Sequence, residues 1–265
     1  LSQNLLFFNP TEENGYKAVM KAIHDVKAAI RYFKMNDELY NDYGVDADRV
    51  YVGGYSAGAV AAINAAYLNE YEEIPSFLLD DYDGIGGLEG LSGNPGYDSS
   101  FHGIINLSGA VGDADWIAEG DVPIVSMHGD QDDVVPYSND LVTLFGLNVE
   151  VDGSYIIHQT MLELGNYSEL HTYENQGHSP YTDMEFESEF SSDFLYDIVC
   201  SAFEGVVGDI NQDDIINILD IIILINYILG VESPTDNQFF LSDINEDDIV
   251  NILDVVLLVN EILDS

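Results

Sequence analysis

The sequence predicts an α/β domain with a mostly parallel sheet, followed by a small all-α module. Three observations carry that prediction. Strand-like and helix-like hydropathy patterns alternate through residues 1–204. A twelve-residue acidic segment at 209–220 recurs at 243–254. Each copy then runs into a strongly apolar helix pattern, Ile221 to Leu229 and Val255 to Leu263.

Taken in order, residues 16–34 carry Val19, Met20, Ile23, Val26, Ile30 and Phe33 at the spacing of an amphipathic helix, with Pro10 and Thr11 as its start signal. A short strand pattern from Arg49 to Gly53 meets Gly54-Tyr55-Ser56-Ala57-Gly58, and an alanine-rich helix pattern covers 57–68. Small side chains there allow close approach to a sheet. Gly84, Gly86, Gly87, Gly90, Gly93, Pro95 and Gly96 make 80–100 a long loop. Buried-strand patterns follow at 103–107 and 122–127, a helix near 154–164, a strand at 169–174 and an amphipathic helix at 184–203. The composition changes at Gly205, which separates a domain at 1–204 from a second at 205–265.

Composition bounds the function. With 46% hydrophobic and 11% aromatic residues the chain can bury a core. Six Lys and Arg face 49 Asp and Glu, a formal net charge of -43, and no Lys or Arg follows Arg49. Such a surface repels phosphate backbones, so a nucleic-acid partner is excluded. It suits metal cations and salty water, where the Debye length shrinks to ~3 Å at about 1 M. No run of 18 apolar residues predicts a membrane span. The single cysteine, Cys200, forbids an internal disulfide and reads as a core residue on the last helix of the first domain.

A serine inside Gly-x-Ser-x-Gly, between a strand and a helix, is a nucleophile elbow, where the glycines permit the sharp turn and Ala57 N–H faces a developing oxyanion. A hydroxyl nucleophile needs a base, and the base an orienting acid. Pro123-Ile-Val-Ser-Met-His128-Gly-Asp-Gln-Asp132-Asp-Val-Val-Pro136 is a strand ending among carboxylates. Leu170-His-Thr-Tyr-Glu-Asn-Gln-Gly-His178-Ser-Pro is a strand ending in a loop histidine. Asp130 and Asp133 flank Asp132 as alternative acids. His24, His102, His158 and His171 read as packing or surface residues.

These motifs resemble those of secreted α/β-hydrolase esterases over residues 16–203. The resemblance implies Ser56 as nucleophile, Asp132 as acid, His178 as base, Ala57 as an oxyanion donor and a structural His128. It also implies strands ahead of the helix at 16–34, for which residues 1–15 are too few, so a truncated fold with an incomplete oxyanion hole is expected. An inert hydrolase serving in calcium-dependent assembly, and a serine peptidase, fit the same residues.

In the repeats, positions 1, 3, 5, 9 and 12 bear oxygen: Asp209, Asn211, Asp213, Asn217 and Asp220, then Asp243, Asn245, Asp247, Asn251 and Asp254. With the carbonyls of Ile215 and Ile249 at position 7, this is the spacing by which a loop wraps calcium, two Ca2+ ions in all. Position 6 is Asp214 or Asp248 instead of glycine. The region 208–264 resembles a dockerin. That implies a cohesin-type module on a scaffold or cell-surface protein as partner and an extracellular, secreted location. An acylated polysaccharide is then the expected ester substrate. Ile218-Leu219 and Ile252-Leu253 are apolar where many dockerins are polar.

Overall fold

The computed structural model describes residues 11–74, 87–91, 93–143, 148–200, 205–213, 215–245, 247 and 249–264. The chain divides into two compact units, Leu1–Phe194 and Leu195–Ser265.

In the first unit, helix α1 (Glu12–Leu39) starts where the Thr11 side chain accepts the Asn14 N–H at 3.2 Å. It runs further in both directions than its apolar spacing predicts. Its scarce cations are paired along the middle of the helix: Lys27 and Arg31 reach Glu89 at 2.7 and 2.9 Å, and Lys34 pairs with Asp98. Those pairs fasten the segment after Gly87 to the helix. Residues 80–86 of the expected loop lie outside the described residues.

Four strands form a parallel sheet in the order β1 (Val52–Tyr55), β2 (Ile104–Leu107), β4 (Ile124–Gly129) and β7 (Ser168–Tyr173). Every residue of β4 is buried, as an apolar run in a two-sided sheet should be. Helix α2 (Ala57–Tyr67) lays Ala59, Ala61, Ala62, Ile63 and Ala65 inward. It packs with α1, and Met20, Ile23, Ile63, Tyr67, Ile104 and Ile124 share one core with Ile157 and Met161 of α3 (Ser154–Glu163).

A second, antiparallel sheet has the order β3 (Ala110–Val111), β6 (Val149–Gly153), β5 (Asn139–Val142). No sequence pattern announces it. Its strands are short, and β5 is mostly exposed, so the period-two alternation of a half-buried strand is absent. Helix α4 (Met184–Cys200) follows and runs past Phe194, where the first unit ends, and residues 201–204 of the helix expected there lie outside the described residues. The Cys200 side chain also lies outside them.

The second unit holds α5 (Ile218–Ile228), α6 (Asp236–Ser242) and α7 (Ile252–Asp264). The two repeat helices begin three residues earlier than their apolar runs predict, because Asn217 and Asp220 form a capping box at the start of α5. Ile210, Ile221, Leu224, Leu241, Val255 and Leu258 form its buried core. Helix α6 lies in the interval between the repeats, where the sequence reading expects no element. Thr235 and Gln238 supply its capping box.

Because the four-stranded sheet is parallel, all its strand ends point the same way. Residues that follow β1, β4 and β7 therefore gather along one edge.

Candidate active site and acidic loops

Ser56 follows β1 directly and stands at the N-cap of α2 with φ 55° and ψ -121°. A serine at this position usually bonds its own helix N-terminus, a cap contributing ~1 kcal/mol. Here the side chain makes no cap bond, and the positive φ turns it away from the helix. Backbone strain of roughly 1–3 kcal/mol is held by Ser56 N–H on the Leu107 carbonyl at 2.8 Å and Val60 N–H on the Ser56 carbonyl at 2.9 Å. The strain sits on the serine rather than on the glycines. Gly54 answers a different need: a Cβ there would lie 2.3 Å from the Gly58 carbonyl carbon.

His178, five residues past β7, brings Nε2 within 2.8 Å of Ser56 Oγ and Nδ1 within 2.7 Å of Asp132 Oδ2. Asp132, three residues past β4, has a fully buried side chain. Its Oδ1 accepts the N–H groups of Val134 and Val135 at 2.8 and 3.0 Å. Burial alone would raise its carboxyl; the donors from His128, His178, Val134 and Val135 outweigh that and hold it below the usual carboxylate range. Asp132 is thus ionised and accepts the Nδ1–H of His178, which leaves the Nε2 lone pair facing the Ser56 hydroxyl. Of the two flanking acids, Asp130 accepts the Asn175 N–H at 2.6 Å and shapes the turn, while Asp133 is exposed.

Ala57 opens α2 and is exposed. Its N–H belongs to the first turn, which has no carbonyl four residues back within the helix.

Several contacts to the imidazole loop escape sequence reasoning. The Tyr55 ring lies 5.3 Å from that of His178, and its hydroxyl reaches Ser179 Oγ. Ser108 Oγ approaches the His178 carbonyl at 3.2 Å, and the Tyr181 hydroxyl donates to the Met127 carbonyl at 2.8 Å. Tyr55 is the first of the two variable residues of the serine pentapeptide, which is the one signal available. His24, His158 and His171 lie away from this cluster: His24 meets the Gly87 carbonyl, His158 meets Ser168, and His171 packs on Phe186. His102 accepts the Val50 N–H.

The two acidic loops repeat one hydrogen-bond scheme. Asp220 Oδ1 accepts from Ile210 and Asn211 N–H, and its Oδ2 from Asn217 N–H at 2.8 Å. Asp254 does the same with Ile244, Asn245 and Asn251. Asp209 and Asp243 accept from the N–H of Asp213 and Asp247 at 3.1 and 3.2 Å. The amides of Asn217 and Asn251 donate to the carbonyls of Ile215 and Ile249 at 2.9 Å in both loops. Positions 1, 5, 7, 9 and 12 are thereby drawn into one turn, with Asn211 and Asn245 at position 3 bonded to Asp213 and Asp247.

Asp209, Asp220, Asp243 and Asp254 are buried, in a unit whose sequence contains no Lys, Arg or His. An all-oxygen donor set of carboxylates, side-chain amides and main-chain carbonyls is of the kind that suits calcium. Among the described residues, no group of three or more His, Cys, Asp and Glu side chains is placed to hold a metal ion. Asp214 and Asp248 lie outside the described residues.

Residues 207–263 match the dockerin type I domain. Dockerin domains bind calcium and dock onto cohesin modules. In this dockerin the apolar pairs noted above are exposed at equivalent places, Ile218 and Leu219 on α5, Ile252 and Leu253 on α7.

Among solved structures, Thermogutta terrifontis esterase 2 phosphoramylated by tabun is similar, with 18% identity and a TM-score of 0.50, over 68% of this chain and 65% of that one. The propionate-bound form of that esterase has 19% identity and a TM-score of 0.49, over 68% and 66%. A truncated carbohydrate esterase from gut microbiota has 21% identity and a TM-score of 0.49, over 66% and 67%. The chain spans about two thirds of the length of these structures. At such identity the likeness to the first shows a shared α/β fold alone. No curated protein matches the chain. No helix among the described residues is long and apolar enough to cross a membrane.

Proposed function

We propose that this protein is a secreted serine ester hydrolase delivered by a calcium-binding dockerin. Residues 1–204 would form the catalytic domain and 205–265 the docking module. The observation that carries the reading is the unbroken chain from Ser56 Oγ through His178 to Asp132, at 2.8 and 2.7 Å.

In the reaction, Ser56 Oγ attacks the ester carbonyl while His178 Nε2 takes its proton. Asp132 holds the imidazole in the Nδ1–H form and stabilises the imidazolium. Ala57 N–H donates to the tetrahedral oxyanion at the positive end of α2. His178 then protonates the leaving alcohol, and water enters by the reverse route to free the acid. The exposed Ala57 and half-buried Ser56 leave the nucleophile open to a bulky substrate. An acylated polysaccharide fits that access and fits carriage by a dockerin, whose partner would be a cohesin on an extracellular scaffold or cell surface.

Two calcium ions would be held, one by Asp209, Asn211, Asp213, Ile215, Asn217 and Asp220, the other by Asp243, Asn245, Asp247, Ile249, Asn251 and Asp254. The ion supplies the positive charge that lets these carboxylates share one turn.

Hydrolysis of p-nitrophenyl acetate by the full chain tests the enzymatic reading. Turnover is expected, with a loss of at least about 10⁴-fold in Ser56→Ala. Equal rates for the two proteins would refute it.

A further inference from the structure

His128 lies at the end of β4 and is fully buried. Its ring joins the catalytic chain from behind. Nε2 stands 3.0 Å from Asp132 Oδ2, the same oxygen that His178 Nδ1 approaches at 2.7 Å. Nε2 also stands 3.1 Å from the Val135 carbonyl. An ionised carboxylate and a carbonyl can only accept, so His128 Nε2 carries a proton.

The other nitrogen fixes the charge state. Nδ1 lies 2.7 Å from Ser154 Oγ, while that hydroxyl is 3.5 Å from the Gly109 carbonyl, the outer limit of a hydrogen bond. Ser154 Oγ already accepts the Asn106 side-chain N–H at 2.8 Å. Asn106 is itself fixed, with its carbonyl oxygen on the Gly109 N–H at 2.8 Å and its amide also reaching Ser126 Oγ at 3.0 Å. The Ser154 proton therefore goes to Nδ1, and His128 is the neutral Nε2–H tautomer. Asn106, Ser126, His128 and Ser154 are all fully buried. The other titratable groups facing the arrangement are the phenols of Tyr137, whose ring meets His128 edge-on at 5.6 Å, and Tyr181 near Asp132.

We propose that His128 is a positioning residue of the hydrolase: Asn106 and Ser154 lock its tautomer, and it shares one Asp132 oxygen with His178. This rests on the triad reading above. Sharing fixes the rotation of the carboxylate, because Oδ1 is held by two backbone N–H groups and Oδ2 by two imidazoles. It also divides the negative charge on Oδ2, so the imidazolium of His178 receives less of it than an unshared carboxylate would give.

The experiment compares wild type, His128→Leu, His128→Gln and Ser154→Ala in two ways. The first is the pH profile of kcat and KM on p-nitrophenyl acetate. The second is the low-field proton resonance of the His178 Nδ1–H, which needs no turnover. His128→Leu should lower kcat on the order of 10²-fold with little change in KM. It should also move the acid limb of kcat/KM to higher pH and shift the resonance. His128→Gln, which keeps an N–H donor, should recover most of both, and Ser154→Ala should shift the resonance while still folding. An unmoved resonance in folded His128→Leu and Ser154→Ala would overturn the proposal, as would equal losses in Leu and Gln variants with an unmoved limb. An inactive wild type would instead strike the esterase reading and leave the resonance test in force.

Discussion

Gly54 and Gly58 meet backbone to backbone: a Cβ on Gly54 would fall 2.3 Å from the Gly58 carbonyl carbon, while one on Gly58 would meet nothing within 4 Å. The two glycines of the serine pentapeptide therefore do unlike things. Gly54→Ala should cost about 3 kcal/mol or more, since the obstructing atoms are backbone. Gly58→Ala should leave stability unchanged or raise it by ~0.4–1 kcal/mol. Thermal unfolding of the two variants checks the contrast.

The depressed Asp132 carboxyl predicts an acid dependence of stability. A group whose folded pKa is lowered stabilises above its ordinary value, ~3.9, and loses that contribution as pH falls through the folded value. The stability gap between wild type and Asp132→Asn should therefore narrow as pH drops from about 5 toward 2. Denaturant titrations across that range measure it, and a gap independent of pH would contradict the assignment.

Charge predicts substrate preference. No Lys or Arg follows Arg49, and Ser56, Asp132 and His178 all lie beyond it. Arg49 pairs with Asp46 and leads into β1 at the sheet end opposite Ser56. An ester carrying a carboxylate near the acyl group should react roughly tenfold or more slowly than its neutral counterpart. That difference should shrink as salt screens the field.

Calcium should stabilise the second unit. At free calcium 100 times Kd, each site contributes ~2.7 kcal/mol. Asp213→Ala and Asp247→Ala, on exposed carboxylates that each hold one backbone N–H, should each reduce that gain with a smaller effect on the calcium-free protein than Asp220→Ala. Asp220→Ala should weaken both states, because its carboxylate also holds three backbone N–H groups. Calorimetry with and without chelator separates the cases.

What was legible in the sequence follows from the kind of constraint. Ser56, Asp132 and His178 stand in motifs because turns at strand ends demand particular residues nearby, and the acidic repeat is legible because it occurs twice. Ser154 and Asn106 carry no such signature. They reach His128 only through the pairing of β2 with β4 and the docking of α3, which are long-range events. The antiparallel sheet lacks a local signature for a similar reason: β3 is two residues long, and the edge strand β5 is mostly exposed. The ion pairs that hold the polar face of helix α1, to Glu89 and Asp98, reach more than 50 positions along the chain and leave no local signal either.

The most direct test of the central claim is peptide mass spectrometry of the full chain quenched during turnover of p-nitrophenyl acetate. An acetyl group on Ser56, absent from Ser56→Ala and accumulating in His178→Ala only at a greatly reduced rate, is the predicted result. Turnover with no acetyl on Ser56, or acetylation at equal rate when His178 is removed, would contradict the account.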